Sequence, residues 1–392
     1  MARVLFAWEL GGDLGHARRV FEVARGLRRL GHETAFAFQD LLALGALGAS
    51  AEWFQAPLIA SPATAPTRPP LSHSEILVYR GYGDALSVAG NTRGWLGLFS
   101  LWKADALVAD YAPGALIAAR AARLPHVSIG SGFSTPPPRD PMPALRSWAA
   151  IEETALRRAD ATLLAGVRGG LERVNASAAL PANASDVFRV EHNVLCTWPE
   201  IDPFGARADA EYVGPQDDPS TGAEAHWRAS ARPRVFAYVK AHDPRLPPML
   251  DAIARLPGEA IVVALGLAPA QAAARSTPTM QVHSQPVALG PLLADCDLCI
   301  SHGGPGTVAH ALNAGVALAL VPQHLEQVLV ARQVVSTGAA VMWAPETPPA
   351  ELPRWIAEAA ANESIRKAAA GSTLRGRKSH DAAARVAAML GA

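Results

Sequence analysis

Hydrophobic positions along the chain alternate between short apolar runs and helical stripes. The apolar run Arg3–Trp8 predicts a strand, and a stripe that includes Val20 and Leu27 predicts the helix after it. Residues 34–38 predict the next strand, so the three elements form the βαβ unit of a parallel sheet. The same alternation resumes at Arg234 and continues through the second half. The pattern therefore predicts an α/β protein.

Further elements are predicted between these two regions. Apolar periodicity predicts helices over 74–102, 112–124 and 143–159, and strands over 106–109, 126–129 and 161–164. The Pro-rich stretches 56–71 and 130–138 predict irregular loops.

The chain divides at a polar stretch over residues 203–233, which is rich in Pro and Gly. Since 392 residues are too many for one ordinary core, we expect two domains. We predict a first domain over 1–213, a linker over 214–233 and a second domain over 234–375. A C-terminal helix within 376–392 is expected to pack back on the first domain. The predicted fold is two doubly wound, Rossmann-like domains that face each other across a cleft.

Composition excludes several classes of protein. Lys plus Arg and Asp plus Glu number 35 each, which leaves no electrostatic footprint for nucleic acid. The chain contains no run of 18 apolar residues, so no membrane-spanning helix is predicted. The first residues do not resemble a signal peptide. The three cysteines, Cys196, Cys296 and Cys299, make no disulfide framework. We expect a cytoplasmic protein.

A glycine-rich loop lies between a predicted strand at 298–300 and a predicted helix. Its residues are His302, Gly303, Gly304, Gly306 and Thr307, with Pro305 among them. Backbone N–H groups at a helix start attract anions, and the helix adds partial positive charge there. His302 can donate a further hydrogen bond to a phosphate oxygen. The loop predicts a phosphate or diphosphate site.

Glu326 and Gln327 follow the next predicted strand, 317–321. In a parallel sheet both loops lie at carboxyl ends of strands, where ligands bind. A carboxylate and an amide beside an anion site suit a sugar attached to a phosphate.

Together these motifs resemble the donor-binding signature of the UDP-glycosyltransferase superfamily, the inverting glycosyltransferases of the GT-B fold. The resemblance is strong over 287–340 and looser over 1–136. It implies metal-independent, inverting transfer of a sugar from a nucleoside diphosphate, a UDP-sugar by expectation, to a hydroxyl of a small-molecule or lipid acceptor. The nucleotide sugar is a co-substrate, and no other cofactor is implied. By resemblance, the glycine-rich loop binds the donor diphosphate, and Glu326 and Gln327 bind the donor sugar.

The first domain carries a candidate base. His16 lies at the start of the first predicted helix, where the resemblance places the general base that deprotonates the acceptor. Asp110, at the end of a strand, is the expected partner of its ring, although it could equally cap the helix after it. Asp13 is a rival base in the same loop. The family's proline after the histidine is replaced by Ala17-Arg18-Arg19.

Weaker signals concern the nucleoside. Lys240 and His242 stand after the second domain's first strand and are candidates to approach the diphosphate. Gln285 and Val287 are candidates for base recognition, in a region with no aromatic ring. The nucleotide is therefore open between UDP, dTDP and GDP.

Two other motifs have spacings that are typical of metal-binding sites. Asp295 and Asp297 have the spacing of a metal-binding DxD motif, and Cys296 and Cys299 with His302 have a zinc-like spacing. We interpret the aspartates as a turn and expect no metal. Gly11, Gly12 and Gly15 lack the spacing of a dinucleotide-binding loop.

Two other functions stay open at this point. A nucleotide-sugar epimerase shares the fold, and a catalytically silent partner protein could retain it. Trp95 and Trp102 between the Pro-rich loops suggest an apolar aglycone or a lipid as the acceptor, although such residues more often pack in a core. Neither acceptor identity nor oligomeric state follows from the sequence.

Overall fold

The computed structural model describes residues 1–12, 14–42, 52–59, 66, 68–228, 231–344 and 346–390. The chain forms two compact units. The first contains Met1–Cys196, Ala206–Gln216 and His380–Ala392, and the second contains Thr197–Gly205 and Asp217–Ser379.

The first unit is built on a seven-stranded parallel sheet. Its strands are β1 (Arg3–Trp8), β2 (Glu33–Phe38), β3 (Glu52–Gln55), β4 (Ala106–Asp110), β5 (His126–Gly130), β6 (Asn193–Leu195) and β7 (Glu211–Tyr212). Its helices before residue 200 are α1 (Leu14–Arg29), α2 (His73–Leu77), α3 (Ala85–Trp102), α4 (Pro113–Ala122) and α5 (Glu153–Arg173). The sheet order is β3-β2-β1-β4-β5-β6-β7. The order reverses between β1 and β4, so the two strand ends make the switch point at which doubly wound sheets bind ligands.

The two faces of this sheet bury different side chains of β1. Val4, Phe6 and Trp8 pack on the side of α1, whereas Leu5 and Ala7 pack on the side of α3 and α4. The alternation follows from the period of two in a strand. A strand covered on both faces reads as one continuous apolar run, which is why β1 was predicted correctly.

The second unit contains a six-stranded parallel sheet. Its strands are β8 (Arg234–Lys240), β9 (Glu259–Leu265), β10 (Met280–His283), β11 (Leu298–Ser301), β12 (Ala317–Leu320) and β13 (Ala340–Met342). Its helices are α6 (Leu246–Ala254), α7 (Pro269–Arg275), α8 (Leu289–Leu293), α9 (Pro305–Ala314), α10 (Leu325–Ser336), α11 (Leu352–Ala361) and α12 (Glu363–Ala370). The sheet order β10-β9-β8-β11-β12-β13 puts the switch point between β8 and β11.

The last helix, α13 (Ala382–Met389), belongs to the first unit and packs on α1. A Cβ added at Gly26 would lie 2.4 Å from the Cβ of Ala383. The missing side chain therefore lets the two helices approach closely. None of the helices in the described ranges is long and apolar enough to cross a membrane.

Three predictions of secondary structure differ from the structure. The helix predicted over 143–159 and the strand predicted over 161–164 are wrong, because one helix, α5, covers Glu153–Arg173. The helix predicted over 74–102 is interrupted. A π-helical turn (Val78–Tyr82) with Gly81 at φ +101° separates α2 from α3, which Asp84 caps by accepting the Ser87 N–H.

The predicted linker is also divided differently. Residues 217–228 pack on the second unit: Pro219 accepts the N–H of Gly290 over 2.9 Å, and Trp227 donates its indole N–H to Leu292 over 3.2 Å. Ala223 pairs with Val287 as an isolated parallel bridge. We call residues 217–228 the strap. Its polar composition predicted an interdomain linker, but backbone groups of the strap are hydrogen-bonded to residues 286–290 of the second unit.

Candidate active site

The switch point of the first sheet brings His16 and Asp110 together. His16 lies in the first turn of α1 and Asp110 ends β4, which neighbours β1. His16 Nδ1 is 2.9 Å from Asp110 Oδ1, and both side chains are buried. Among the described residues, none hydrogen-bonds to His16 Nε2. Because the Asp110 carboxylate is hydrogen-bonded to Nδ1, the other ring nitrogen, Nε2, can accept a proton.

Arg19 holds the second oxygen of the same carboxylate. Its Nε lies 2.8 Å and its Nη2 2.6 Å from Asp110 Oδ2. Burial alone would raise the pKa of Asp110, but attraction to Arg19 and His16 lowers it below its ordinary value. The carboxylate is therefore ionised. Arg19 was not predicted as part of the site. Its position three residues after His16 on the same helix could have indicated that the two side chains lie on one face.

Aromatic rings flank the imidazole of His16. The Trp8 ring stacks on it with centroids 5.5 Å apart and planes 15° apart, and the Tyr111 ring lies at 6.4 Å and 21°. Trp8 is fixed by donating its indole N–H to Leu10 O over 2.6 Å. These rings restrict the rotation of His16. Neither ring was predicted, because stacking between side chains of different elements produces no characteristic spacing in the sequence.

The glycine-rich β1–α1 loop passes close to the free nitrogen. Gly11 has φ +88°, and a Cβ there would lie 2.5 Å from His16 Nε2. Gln39 donates its side-chain N–H to Gly11 O over 2.5 Å. Gly11 is therefore needed both for its backbone conformation and for space. Asp13, the rival base, lies outside the described residues, so its role stays a prediction.

Glu9, just before this loop, ties it to the start of α4. Its carboxylate accepts the backbone N–H of Gly114 over 2.6 Å and of Ala115 over 3.3 Å. It also accepts the indole N–H of Trp95 over 2.7 Å and lies 3.4 Å from Asn91 Nδ2. The carboxylate thus occupies the positive end of a helix. It fixes the β1 loop against the element that follows Asp110. Trp95, one of the two tryptophans that suggest an apolar acceptor, is instead buried in the core, and its indole N–H serves this anchor.

His302 lies at the switch point of the second sheet, buried to 4% exposure. Its Nδ1 is 3.0 Å from Val321 O, and its Nε2 is 3.1 Å from the backbone N of Lys240. Since the Lys240 N–H donates to Nε2, Nδ1 carries the hydrogen and donates to Val321. Burial lowers the pKa of His302, so the ring is neutral. Here the ring joins the ends of β8, β11 and β12. Both ring nitrogens are thus bonded to the backbone, so the predicted donation to a phosphate oxygen, which stays a prediction, requires His302 to give up its bond to Val321 O.

The glycine-rich loop opens α9, as the sequence predicts. Gly304 is the N-cap residue, and Gly303 has φ +87°. A Cβ at Gly303 would lie 3.2 Å from Gln327 O, whereas one at Gly304 would meet no atom within 4 Å. The N–H groups of Gly306 and Thr307 lie in the first turn, where a helix offers them no internal acceptor. The loop thus presents backbone donors next to open space.

A carboxylate from the strap lies against this loop. A Cβ at Gly306 would be 3.1 Å from Asp217 Oδ2, and the same oxygen is 3.0 Å from Nε2 of His310, one helical turn after Gly306. Burial opposes protonation of His310, but the hydrogen bond to Asp217 and the charges of Asp217 and Asp218 raise its pKa above the ordinary value. This pair was not predicted, because Asp217 was assigned to the linker.

The predicted sugar-binding pair opens α10. Gln327 is buried to 4% exposure and accepts the N–H of Gln323 with Oε1 over 2.8 Å. Glu326 is half-buried in the first turn. The structure places both at the carboxyl end of β12, next to the glycine-rich loop. Their contact with a sugar stays a prediction.

The four nucleoside candidates differ in their surroundings. Lys240 ends β8, and its backbone N–H is used by His302. His242 and Gln285 are exposed, whereas Val287 is buried and its neighbours' backbone groups pair with Ala223 of the strap. The strap therefore covers the edge at which base recognition was predicted.

The DxD aspartates have arginine partners. Arg232 pairs with both Asp295 and Asp297, and Arg234 pairs with Asp295. Cys296 Sγ lies 3.2 Å from Leu298 O. Within the described ranges, no three side chains of the metal-ligating types meet. The ion pairs give these residues a structural role between the start of β8 and the start of β11.

Comparison with known proteins agrees with this architecture. Residues 248–387 match the family described as "Erythromycin biosynthesis protein CIII-like, C-terminal domain". No protein of curated function matches the chain.

Solved structures share the fold over the whole chain. CalG4, the calicheamicin glycosyltransferase, is 20% identical with a TM-score of 0.68 and covers 100% of this chain and 98% of its own. The spinosyn rhamnosyltransferase SpnG complexed with thymidine diphosphate is 20% identical with a TM-score of 0.68, covering 99% and 100%. SpnG complexed with spinosyn aglycone is 20% identical with a TM-score of 0.67, also covering 99% and 100%. The GT-B fold predicted from the sequence is thereby confirmed.

Proposed function

We propose that this chain is a glycosyltransferase that moves a sugar from a nucleoside diphosphate to a hydroxyl of a natural-product acceptor. The observation that carries the proposal is the His16–Asp110 contact of 2.9 Å at the switch point of the first sheet. The match of residues 248–387 to a family of antibiotic biosynthesis proteins supports the same reaction.

In the proposed reaction His16 Nε2 takes the proton of the acceptor hydroxyl. The hydroxyl oxygen then attacks the anomeric carbon as the bond to the diphosphate breaks. One base and one displacement give inversion at that carbon. Asp110 stabilises the imidazolium that forms, which fits the ionised state of its carboxylate.

The departing diphosphate is assigned to the start of α9. The first-turn N–H groups of Gly306 and Thr307 and the positive end of the helix are suited to stabilise negative charge there. Glu326 and Gln327 are assigned to the sugar hydroxyls. The proposal needs no divalent metal, since these groups supply the charge stabilisation.

The donor nucleotide and the acceptor are assigned by class. SpnG is described in complex with thymidine diphosphate and with spinosyn aglycone. We therefore extend the donor from UDP-sugars to TDP-sugars and favour a small apolar aglycone over a lipid. A cytoplasmic location fits three cysteines without a disulfide.

The test compares His16→Ala with His192→Ala, which changes an exposed histidine of the same unit. Each variant is incubated with UDP- and TDP-sugars and a panel of hydroxylated aglycones, and product is followed by mass spectrometry. His16→Ala should lose about 10²–10⁴-fold in transfer rate while calorimetric nucleotide affinity is unchanged. His192→Ala should behave as wild type. Wild-type transfer by His16→Ala would refute the assignment of the base.

A further inference from the structure

Arg19 shares the Asp110 carboxylate with His16. The imidazole Nδ1 takes Oδ1, whereas Arg19 brings both Nε and Nη2 to Oδ2. Asp110 is fully buried, and the Arg19 side chain is only 12% exposed. Because the guanidinium fork fixes the plane of the carboxylate, it also fixes the direction in which Oδ1 faces the imidazole.

Arg19 also lies close to His16 itself. Its Nη2 is 3.2 Å from His16 Nδ1, so two groups compete for this nitrogen. An ionised carboxylate can only accept, so the contact with Asp110 requires hydrogen on Nδ1 and leaves the lone pair on Nε2. A bond donated by Arg19 to Nδ1 would instead put the hydrogen on Nε2, which could then no longer act as a base.

Among the described residues, the groups that face the imidazole are the Asp110 carboxylate from β4, the Arg19 guanidinium from α1, and the rings of Trp8 and Tyr111. Of these groups, only Arg19 bonds to the second oxygen of the carboxylate. The fork therefore determines whether Oδ1 stays in line with Nδ1, which selects the tautomer whose lone pair is on Nε2.

We propose that Arg19 is a positioning residue that orients the Asp110 carboxylate, so that the neutral imidazole of His16 keeps its hydrogen on Nδ1 and its lone pair on Nε2. The proposal rests on the proposed function only for the consequence in catalysis. The state of the imidazole is a property of the free protein and can be measured without substrate.

The experiment reads the tautomer of the neutral His16 ring from its ¹⁵N shifts at about pH 9, above the ordinary pKa of histidine, in protein with ¹⁵N-labelled histidine and without any substrate. Arg19→Gln removes the charge and the fork, Arg19→Lys keeps the charge without the fork, and Arg18→Gln changes a neighbouring arginine as the control. In both Arg19 variants the two ring ¹⁵N shifts should move towards each other, as expected when hydrogen on Nε2 becomes populated. Arg18→Gln should match wild type.

The same variants are then assayed for transfer. Both Arg19 variants should lower kcat with a smaller change in KM. A tautomer that is unchanged in both variants overturns the proposal, as does hydrogen on Nε2 of the neutral wild-type ring. If Arg19→Gln unfolds, a wild-type tautomer in Arg19→Lys overturns the role of the fork. Absence of transfer by the wild-type protein refutes the proposed function and leaves the tautomer result standing.

Discussion

The carboxylate of Glu9 accepts the indole N–H of Trp95 over 2.7 Å in the interior of the first unit. Burial raises the pKa of Glu9 from 4.5 to about 7, against the opposing effect of its N–H donors. Between roughly pH 4.5 and 7 the folded protein holds a proton that the unfolded chain has released. The free energy of unfolding from this group therefore falls as the pH rises through that window.

Glu9→Gln cannot titrate and should remove this pH dependence, which amounts to about 3 kcal/mol. Urea unfolding at pH 5 and at pH 8 measures it, with Glu172→Gln on the exposed face of α5 as the control. Wild type and the control should lose stability between the two pH values by more than Glu9→Gln does. Parallel changes in all three proteins would contradict the assignment.

Gly11→Ala should inactivate the proposed base. The added methyl would lie 2.5 Å from His16 Nε2, and the φ of +88° is unfavourable for alanine. We expect a loss of at least about 10²-fold in transfer rate, in line with loss of a general base. Gly15→Ala, in the first turn of α1, is the matched control, because no described atom lies within 4 Å of its new Cβ. Equal rates in the two variants would show that the loop does not shape the site around Nε2.

Gly304→Ala tests the diphosphate site. Its new methyl meets no protein atom within 4 Å, so the stability of the free protein should change by less than about 1 kcal/mol. If a diphosphate approaches this backbone, the methyl should weaken UDP or TDP binding by about tenfold or more, a loss of about 1.4 kcal/mol. Calorimetry measures it, with Gly97→Ala on the exposed face of α3 as the control. Undiminished affinity in Gly304→Ala would exclude the glycine-rich loop from phosphate binding.

The Asp217–His310 pair should also make the free energy of unfolding depend on pH, in a higher pH range than Glu9 does. The pKa of His310 is raised in the folded protein, chiefly by Asp217 against the effect of burial. This contribution is fully present below the ordinary histidine value of about 6.5 and is lost as the pH rises through the raised folded value. Asp217→Asn should therefore lower the free energy of unfolding more at pH 6 than at pH 9.

Thermal unfolding at the two pH values measures this difference, and Asp251→Asn on the exposed face of α6 is the control. Asp217→Asn also removes a negative charge beside the start of α9, so nucleotide affinity at pH 9 should rise. An equal loss of stability at both pH values would mean that the pair is not coupled to protonation of His310.

The sequence predicted the parts of the site that follow from the order of strands. His16, Asp110 and His302 each follow a buried apolar run, and the parallel α/β pattern places such positions at one edge of a sheet. The contact between His16 and Asp110 needed in addition that β1 and β4 be neighbours. The resemblance implied this contact, and the strand order explains it.

Other parts depended on tertiary contacts that leave no local signal. Residues 161–164 read as a strand because a four-residue apolar run has no distinguishable period. The longer stripe through Leu156, Leu163 and Val167 has helical spacing and is buried in α5. Asp217 reaches Gly306 from 89 residues away along the chain, so neither residue indicates the other.

The pairing of α13 with α1 has a consequence for synthesis of the protein. α1 carries His16, and the helix that covers it is translated only after all of the second unit. The first unit emerges from the ribosome with the Gly26 face of α1 bare, and its core closes only when residues 382–389 arrive. Domains usually fold in the order in which they are made. In this chain the first unit can complete its core only after the second unit has been translated, and the helix that carries the proposed base stays uncovered until then.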